Sequence, residues 1–431
     1  MSLRSLAKVF LVSCCLIDPN VFAEPAWPAW RGQSGQGLFD SQATLPIQWS
    51  EGSVAWKAPI AGRGSSTPII TDGAAFLTSG NNGKNELHRV DLESGQVVWS
   101  VALGNDTGNK HKKGGGSNPS PVADDGAVYV YFRSGDFGCI ELDGKIRWQK
   151  NLQSLYGEDT LWWDLGSSPV VTDTAVVITV MQTGPSYLVG FDPQTGEELW
   201  KVDRNLDAPE EAAQSYSTPV PIFIDGKDHL AVLGADHLTI HEAANGKMVG
   251  RLGGFNPTEH NYFRSIASPV VVGQVVVCPY ARGDTVTGVD AKKLIANSSD
   301  PTKAILWHRE GLGSDVPSPA TDGKLAYVLI DKEAPRGTVH AINPKTGRSV
   351  WTVRIPKSRI GYSSSPLIAG DHLYVTSENG TTHVIGPLSS SEPKLLHSNE
   401  LDDDEPFTTA SPVPHEGSLL VRTKNNLYRI K

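Results

Sequence analysis

The chain has 431 residues, a net charge of −9, 39% hydrophobic residues and four cysteines. An acidic balance of that size argues against nucleic acid or an anionic membrane surface as the main partner. No run approaches the roughly 20 apolar residues of a membrane helix, so the composition points to a globular chain with a sizeable core.

Residues 1–23 read as a secretory signal. Arg4 and Lys8 precede the apolar run Val9 to Ile17, Pro19 breaks it, and Val21-Phe22-Ala23 offers a small-residue site with cleavage after Ala23. Leu11-Val12-Ser13-Cys14 also spells a lipidation box, but anchoring at Cys14 would leave an apolar core of only about four residues where about 7 to 15 are usual. The expected destination is therefore periplasmic or secreted. Cys14 and Cys15 leave with the signal, whereas Cys139 and Cys278 lie in apolar strand patterns and read as buried thiols. A disulfide between them stays open in an oxidising compartment. No cysteine spacing suits zinc or covalent haem.

Residues 24–52 carry no repeat and form an N-terminal extension; residues 53–431 repeat. Prolines at 68, 121, 169, 219, 269, 319, 366 and 412 each follow Ser or Thr and open a β-rich stretch, at intervals of 46 to 53 residues. A period near fifty held along the whole chain is the mark of a repeat architecture. After each proline come an alternating apolar run, a tight turn and a second run, as around Asp72-Gly73, Asp125-Gly126 and Asp322-Gly323. Asp-Gly between such runs predicts a hairpin with positive φ at both turn residues. A second hairpin follows, as in Val90 to Trp99 and Phe191 to Trp200.

Each unit is thus a four-stranded antiparallel sheet, and the closed arrangement of eight such sheets is an all-β, eight-bladed propeller. Trp56, Trp99, Trp148, Trp200, Trp307 and Trp351 end six units, where a large ring would fill the wedge between blades. Ala410 to Lys431 supplies only three strands, while Val54 to Ile60 is an orphan strand ahead of the first unit. The N-terminal strand is expected to complete the last blade and lock the ring.

The pattern Asp-x-x-Thr-Gly-x-x-x-Trp, closest at Asp192 to Trp200 and partial at Asp91 to Trp99 and Asn343 to Trp351, resembles the repeats of the quinoprotein-like, pyrroloquinoline quinone (PQQ) repeat propellers. Trp27-Pro28-Ala29-Trp30-Arg31-Gly32 looks like the opening of a secreted branch of that family. WD40 repeats are shorter than this period, and the recurring double glycine of kelch repeats is absent.

The segments ahead of the innermost strands should meet at one mouth of the central channel. Arg63, Lys113, Trp163, Asp164, Arg264, Asp315 and Arg359 are the candidates there, with His111, Tyr216, Tyr262 and Tyr362 beside them. Cations, aromatics and acids on one rim suit a polar or anionic ligand. The resemblance implies that, in a dehydrogenase of the family, Arg and Lys would hold the carboxylates of PQQ, Trp163 would floor its ring, and Asp164 or Asp315 would serve as base beside a calcium ion. No vicinal cysteine pair remains in the mature chain to match the alcohol-oxidising members. Arg282-Gly283-Asp284 reads as an ordinary turn. The acidic run Asp402 to Glu405 lacks the spaced oxygens of a calcium loop.

Two readings follow. The first is an exported, monomeric, non-catalytic platform, similar to the assembly lipoprotein BamB, that binds a protein partner or a small anionic ligand at the rim. The second is a periplasmic PQQ- and calcium-dependent alcohol or sugar dehydrogenase.

Overall fold

The computed structural model describes residues 27–40, 43–332, 335–357 and 359–431, so the expectations for the signal, its cleavage and Cys14 lie outside the described residues. Eight sheets follow one another around a central axis, each containing four antiparallel strands, consecutive in the chain in all but the last. The first blade comprises Ile69–Thr71, Ala74–Asn81, Lys84–Asp91 and Val97–Asn105. The last contains Val413–His415, Ser418–Arg422 and Asn426–Ile430, and its outermost strand is Val54–Pro59 from the N-terminal side. That strand pairs antiparallel with Asn426–Ile430 in the register Lys57 to Tyr428, as expected, so the two ends of the repeat region share one sheet.

Every repeat proline lies immediately ahead of its innermost strand, and the hydroxyl residue before it has a purpose the repeat count did not show. Proline forces its predecessor into extended backbone, and that residue's N–H has no neighbouring strand to meet. In each case the N–H donates to the side-chain oxygen of the equivalent residue one blade on. The bonds run from Thr67 to Ser120, Ser168, Thr218, Ser268, Ser318, Ser365 and Ser411, and Ser411 returns to Thr67. Their lengths are 2.8 to 3.0 Å, and together they form a closed belt lining the channel. Ser318→Ala should therefore strand the Ser268 N–H and cost about 1–2 kcal/mol, read as a lower urea midpoint. Ser318→Thr should not, because Thr67 and Thr218 already serve in the belt.

The outer tryptophans link consecutive blades more specifically than by filling a wedge. Trp56, Trp99, Trp148 and Trp307 each donate their indole N–H to a turn carbonyl of the next blade, at Leu92, Leu142, Pro193 and Pro344. The ring then lies over the turn glycine. At Gly196, φ is +70° and a Cβ would stand 2.6 Å from the Trp148 ring, which is why a glycine occupies that turn. The Asp-Gly hairpins at 72–73 and 125–126 have positive φ at both residues. At 322–323 only Gly323 does, because the Asp322 carboxylate accepts the N–H groups of Lys324 and Leu325 and makes the turn itself.

The extension holds an element its sequence did not announce. Trp27 pairs with Ile70 of blade 1, the Pro28 carbonyl accepts from Ala123 of blade 2, and Gln36 meets Val271 of blade 5 and Thr321 of blade 6. Leu38–Phe39 then adds a fifth, parallel strand to blade 7, beside Leu367–Ala369. Residues 27–39 are a strap across the inner strands, and Trp30 lies between the main channel cavity and a smaller one of 190 Å³. Arg31, within the strap, is fully buried, and burial pushes its guanidinium down to about 9. It donates to the Pro319 carbonyl. Cys139 and Cys278 are free and buried.

Candidate functional site

In a blade of four alternating strands, the segment before the innermost strand and the loop between the second and third strands reach the same end of the ring. This geometry builds a cavity of about 600 Å³ at the mouth opposite the strap, with Trp30 in its lining. Lys113, Trp163, Asp164, Arg264, Asp315 and Arg359 all line it. Arg63 does not: it bridges Gly80 and is exposed, in a small side pocket with Lys112 and Lys424. Tyr262 and Trp162 stand outside as exposed rim aromatics, 47% and 46% accessible, with ring centres 6.4 Å apart. The acidic run faces away as well, for Asp403 accepts from Thr423, Asn426 and Tyr428 of the last hairpin and Glu405 pairs with Lys424.

Inside the cavity most nominated charges are already engaged. Arg264 forks onto Asp315 at 3.0 and 3.2 Å and approaches Glu211 at 3.7 Å. Lys332 reaches Asp315 at 2.9 Å. Burial would raise the Asp315 carboxyl, but the two cations outweigh it and hold the group below the ordinary range. Asp164 accepts the N–H groups of Lys110 and His111 at 2.8 and 2.9 Å, with Arg133 3.5 Å away. Lys113 pairs with Glu378 of blade 7 at 2.6 Å. Trp163 donates its indole N–H to Glu211 at 2.8 Å and meets His111 edge-on.

The strand-two to strand-three loops add residues that sequence reasoning missed: Arg282, Asp331, Lys332, Arg336 and Glu378. Strand alternation was the available signal, since it sends both loop sets to one face. Asp331 is the most perturbed acid of the group, pushed up to about 6 by burial and by Asp315, although both its oxygens accept backbone N–H groups from Asp315 and Val316. An acid whose folded value exceeds its unfolded one costs stability as pH rises through that interval. Asp331→Asn should therefore flatten a decline in stability between about pH 4 and pH 6, measured by urea unfolding across that range.

The donor set does not suit a calcium-bound quinone. Asp164 and Asp315, the nominated bases, are engaged by N–H donors and cations, and among the described residues no three His, Cys, Asp or Glu side chains converge on a metal position. Such an ion needs six or more oxygens around it.

A family model described as outer membrane protein assembly factor BamB matches residues 40–184, 83–353 and 284–430, in windows that overlap as repeats permit. The BamB protein of Burkholderia pseudomallei is 25% identical over 370 residues, covering 77% of this chain and 87% of that protein. That of Yersinia pestis is 27% identical over 154 residues, about a third of either chain. Among solved structures, BamB from Moraxella catarrhalis superposes with a TM-score of 0.59 at 14% identity, covering 88% of this chain and 99% of that one. A europium-containing methanol dehydrogenase reaches 0.67 at 11% identity over 94% and 90%. Those two likenesses establish the propeller alone. The family model spans nearly the whole repeat region and the eight sheets close as its fold requires, so this chain belongs to the outer membrane protein assembly factor BamB family.

Proposed function

We propose that the chain is exported by its N-terminal signal and works as a monomeric, non-catalytic platform in outer membrane protein assembly, docking a protein partner at the cavity rim. The family match across residues 40–430 carries this reading. The site's chemistry supports it: the nominated bases and most of the nominated quinone ligands, Arg359 excepted, are engaged by neighbouring groups, while Trp162 and Tyr262 stand exposed on the rim beside the cavity. Exposed aromatics around a concave site are the usual anchors of a protein interface. Among the described residues no helix is long and apolar enough to cross a membrane.

The test is complementation. A strain lacking the protein should show reduced folded outer-membrane β-barrels, restored by the natural chain and poorly by a Trp162→Ala, Tyr262→Ala variant. Photo-cross-linkers at these two positions should capture the same partner, whereas one at exposed Val98 on an outer strand should not. Unchanged barrel levels, together with stoichiometric PQQ binding and calcium-dependent dye reduction by an alcohol or sugar, would overturn the proposal in favour of a dehydrogenase.

A further inference from the structure

The cavity pairs most of its charges but leaves three guanidiniums over. Arg282, Arg336 and Arg359 come from blades 5 and 6 and the approach to blade 7, line the same cavity, and have no carboxylate within 4.0 Å among the described residues. Arg336 has only marginal contacts, at 3.4 and 3.5 Å, with the carbonyls of Lys332 and Arg359. The Nε of Arg282 is buried without a partner. The backbone that presents Arg282 is itself strained: Ala281 and Arg282 have φ of 51° and 57°, left-handed values that side-chain-bearing residues adopt at a cost of about 1–2 kcal/mol each. Such strain persists where the surroundings impose it, and it gathers at ligand sites.

The opposite wall differs. His111, Trp163 and Tyr216 bring aromatic rings to the cavity from the loops ahead of blades 2, 3 and 4. Below lie Trp30 and the belt, whose hydroxyl oxygens accept N–H groups and so keep their own protons for the lumen. Because the strap crosses the inner strands at the far end, with Trp30 between the main cavity and the smaller one beyond, we read the channel as blind. A ligand that satisfies this site carries an oxyanion on one side and an aromatic body on the other, and enters end-on. Guanidinium forks match carboxylates in particular, and a bare phosphate would leave the aromatic wall unused. A blind channel also admits a chain end and rejects a strand passing through.

We infer that the blind channel receives the C-terminus of a partner polypeptide, its α-carboxylate against Arg282, Arg336 and Arg359 and an aromatic last side chain against His111 and Trp163. This deepens, and rests on, the reading of the rim as a partner-docking site.

The experiment uses the purified protein and two labelled short peptides that end in tyrosine and differ only in a free or an amidated C-terminus, followed by fluorescence anisotropy at low ionic strength. The free acid should bind at least about tenfold more tightly than the amide. Arg359→Ala, at an exposed position outside the core, and Arg282→Asn, chosen because Asn tolerates left-handed backbone, should each weaken the free acid by about tenfold and leave the amide unchanged. Equal binding of acid and amide, or no binding of either, overturns the inference. So does inorganic phosphate or a free aromatic acid that displaces the peptide at the peptide's own dissociation constant, since a chain end would then contribute nothing. In those cases rim cross-links at Trp162 and Tyr262 would still report on the docking platform, so the two ideas fail separately.

Discussion

Replacing Trp56 by Ala is expected to lower the unfolding free energy by about 3 kcal/mol and to loosen one seam of the ring rather than the whole of it. Blade 8 is the blade whose strands are not continuous along the chain: Val54–Pro59 runs on into blade 1, while only pairing with Asn426–Ile430 and side-chain contacts hold it in the last sheet. Trp56 lies over Gly95 and donates to Leu92, and Arg429 donates to the same carbonyl. Arg422, fully buried, bonds the Ser66 and Thr78 carbonyls at 2.7 and 2.8 Å. Ser411 closes the hydroxyl belt onto Thr67. Removing the Trp56 ring leaves a cavity over a turn that Gly95 cannot fill, and it frees the edge of the last blade.

Hydrogen exchange should therefore rise in Ser418–Arg422, Asn426–Ile430 and the turn at Leu92, and stay unchanged in blades 3 to 5. Val98→Ala, on an exposed position of the neighbouring outer strand, should change stability by no more than about 0.5 kcal/mol. Deleting residues 53–60 removes the whole strand and should abolish cooperative unfolding. If the truncated protein melted like the intact one, the closure would not depend on this strand.

The sequence showed the ring plainly because its signals are local and recur from blade to blade. Pro68 and its seven equivalents, the turn glycines and the outer tryptophans each report a backbone requirement that is met within one blade or its neighbour. The strap escaped notice because Trp27 to Phe39 forms its bonds with residues of blades 1, 2, 5, 6 and 7, and a two-residue strand leaves no periodicity to read. The site was half legible. Lys113, Trp163, Asp164, Arg264, Asp315 and Arg359 meet because they precede inner strands, while Arg63, also in such a segment, is drawn aside by its bridge to Gly80. Arg282 read as part of a surface turn, since only the left-handed backbone at Ala281 and Arg282 turns it toward the channel.

Arg264→Ala should be the most damaging single change in the cavity, costing about 3–5 kcal/mol at neutral pH. Its side chain is 10% exposed, and those of Asp315 and Glu211 are 3% and 5%, so removing the guanidinium leaves carboxylates in a poorly hydrated place with Lys332 as the remaining cation on Asp315. Arg264→Lys keeps the charge but loses the fork, and should fall between the two. The pH dependence separates this account from simple loss of packing. A carboxylate held below its ordinary range adds stability that is present above its unfolded value, near pH 4, and disappears as pH falls through its folded value. Because Arg264 is the larger of the two cationic sources of that contribution, the gap between natural and Arg264→Ala proteins should be widest near pH 7 and narrow below about pH 4. In a double-mutant cycle, Arg264→Ala with Asp315→Asn should lose less than the sum of the single changes, because a neutral Asn needs no counter-charge. Equal gaps at both pH values, or additive losses, would mean that Arg264 matters for its shape and that the cavity's charges are not coupled through it.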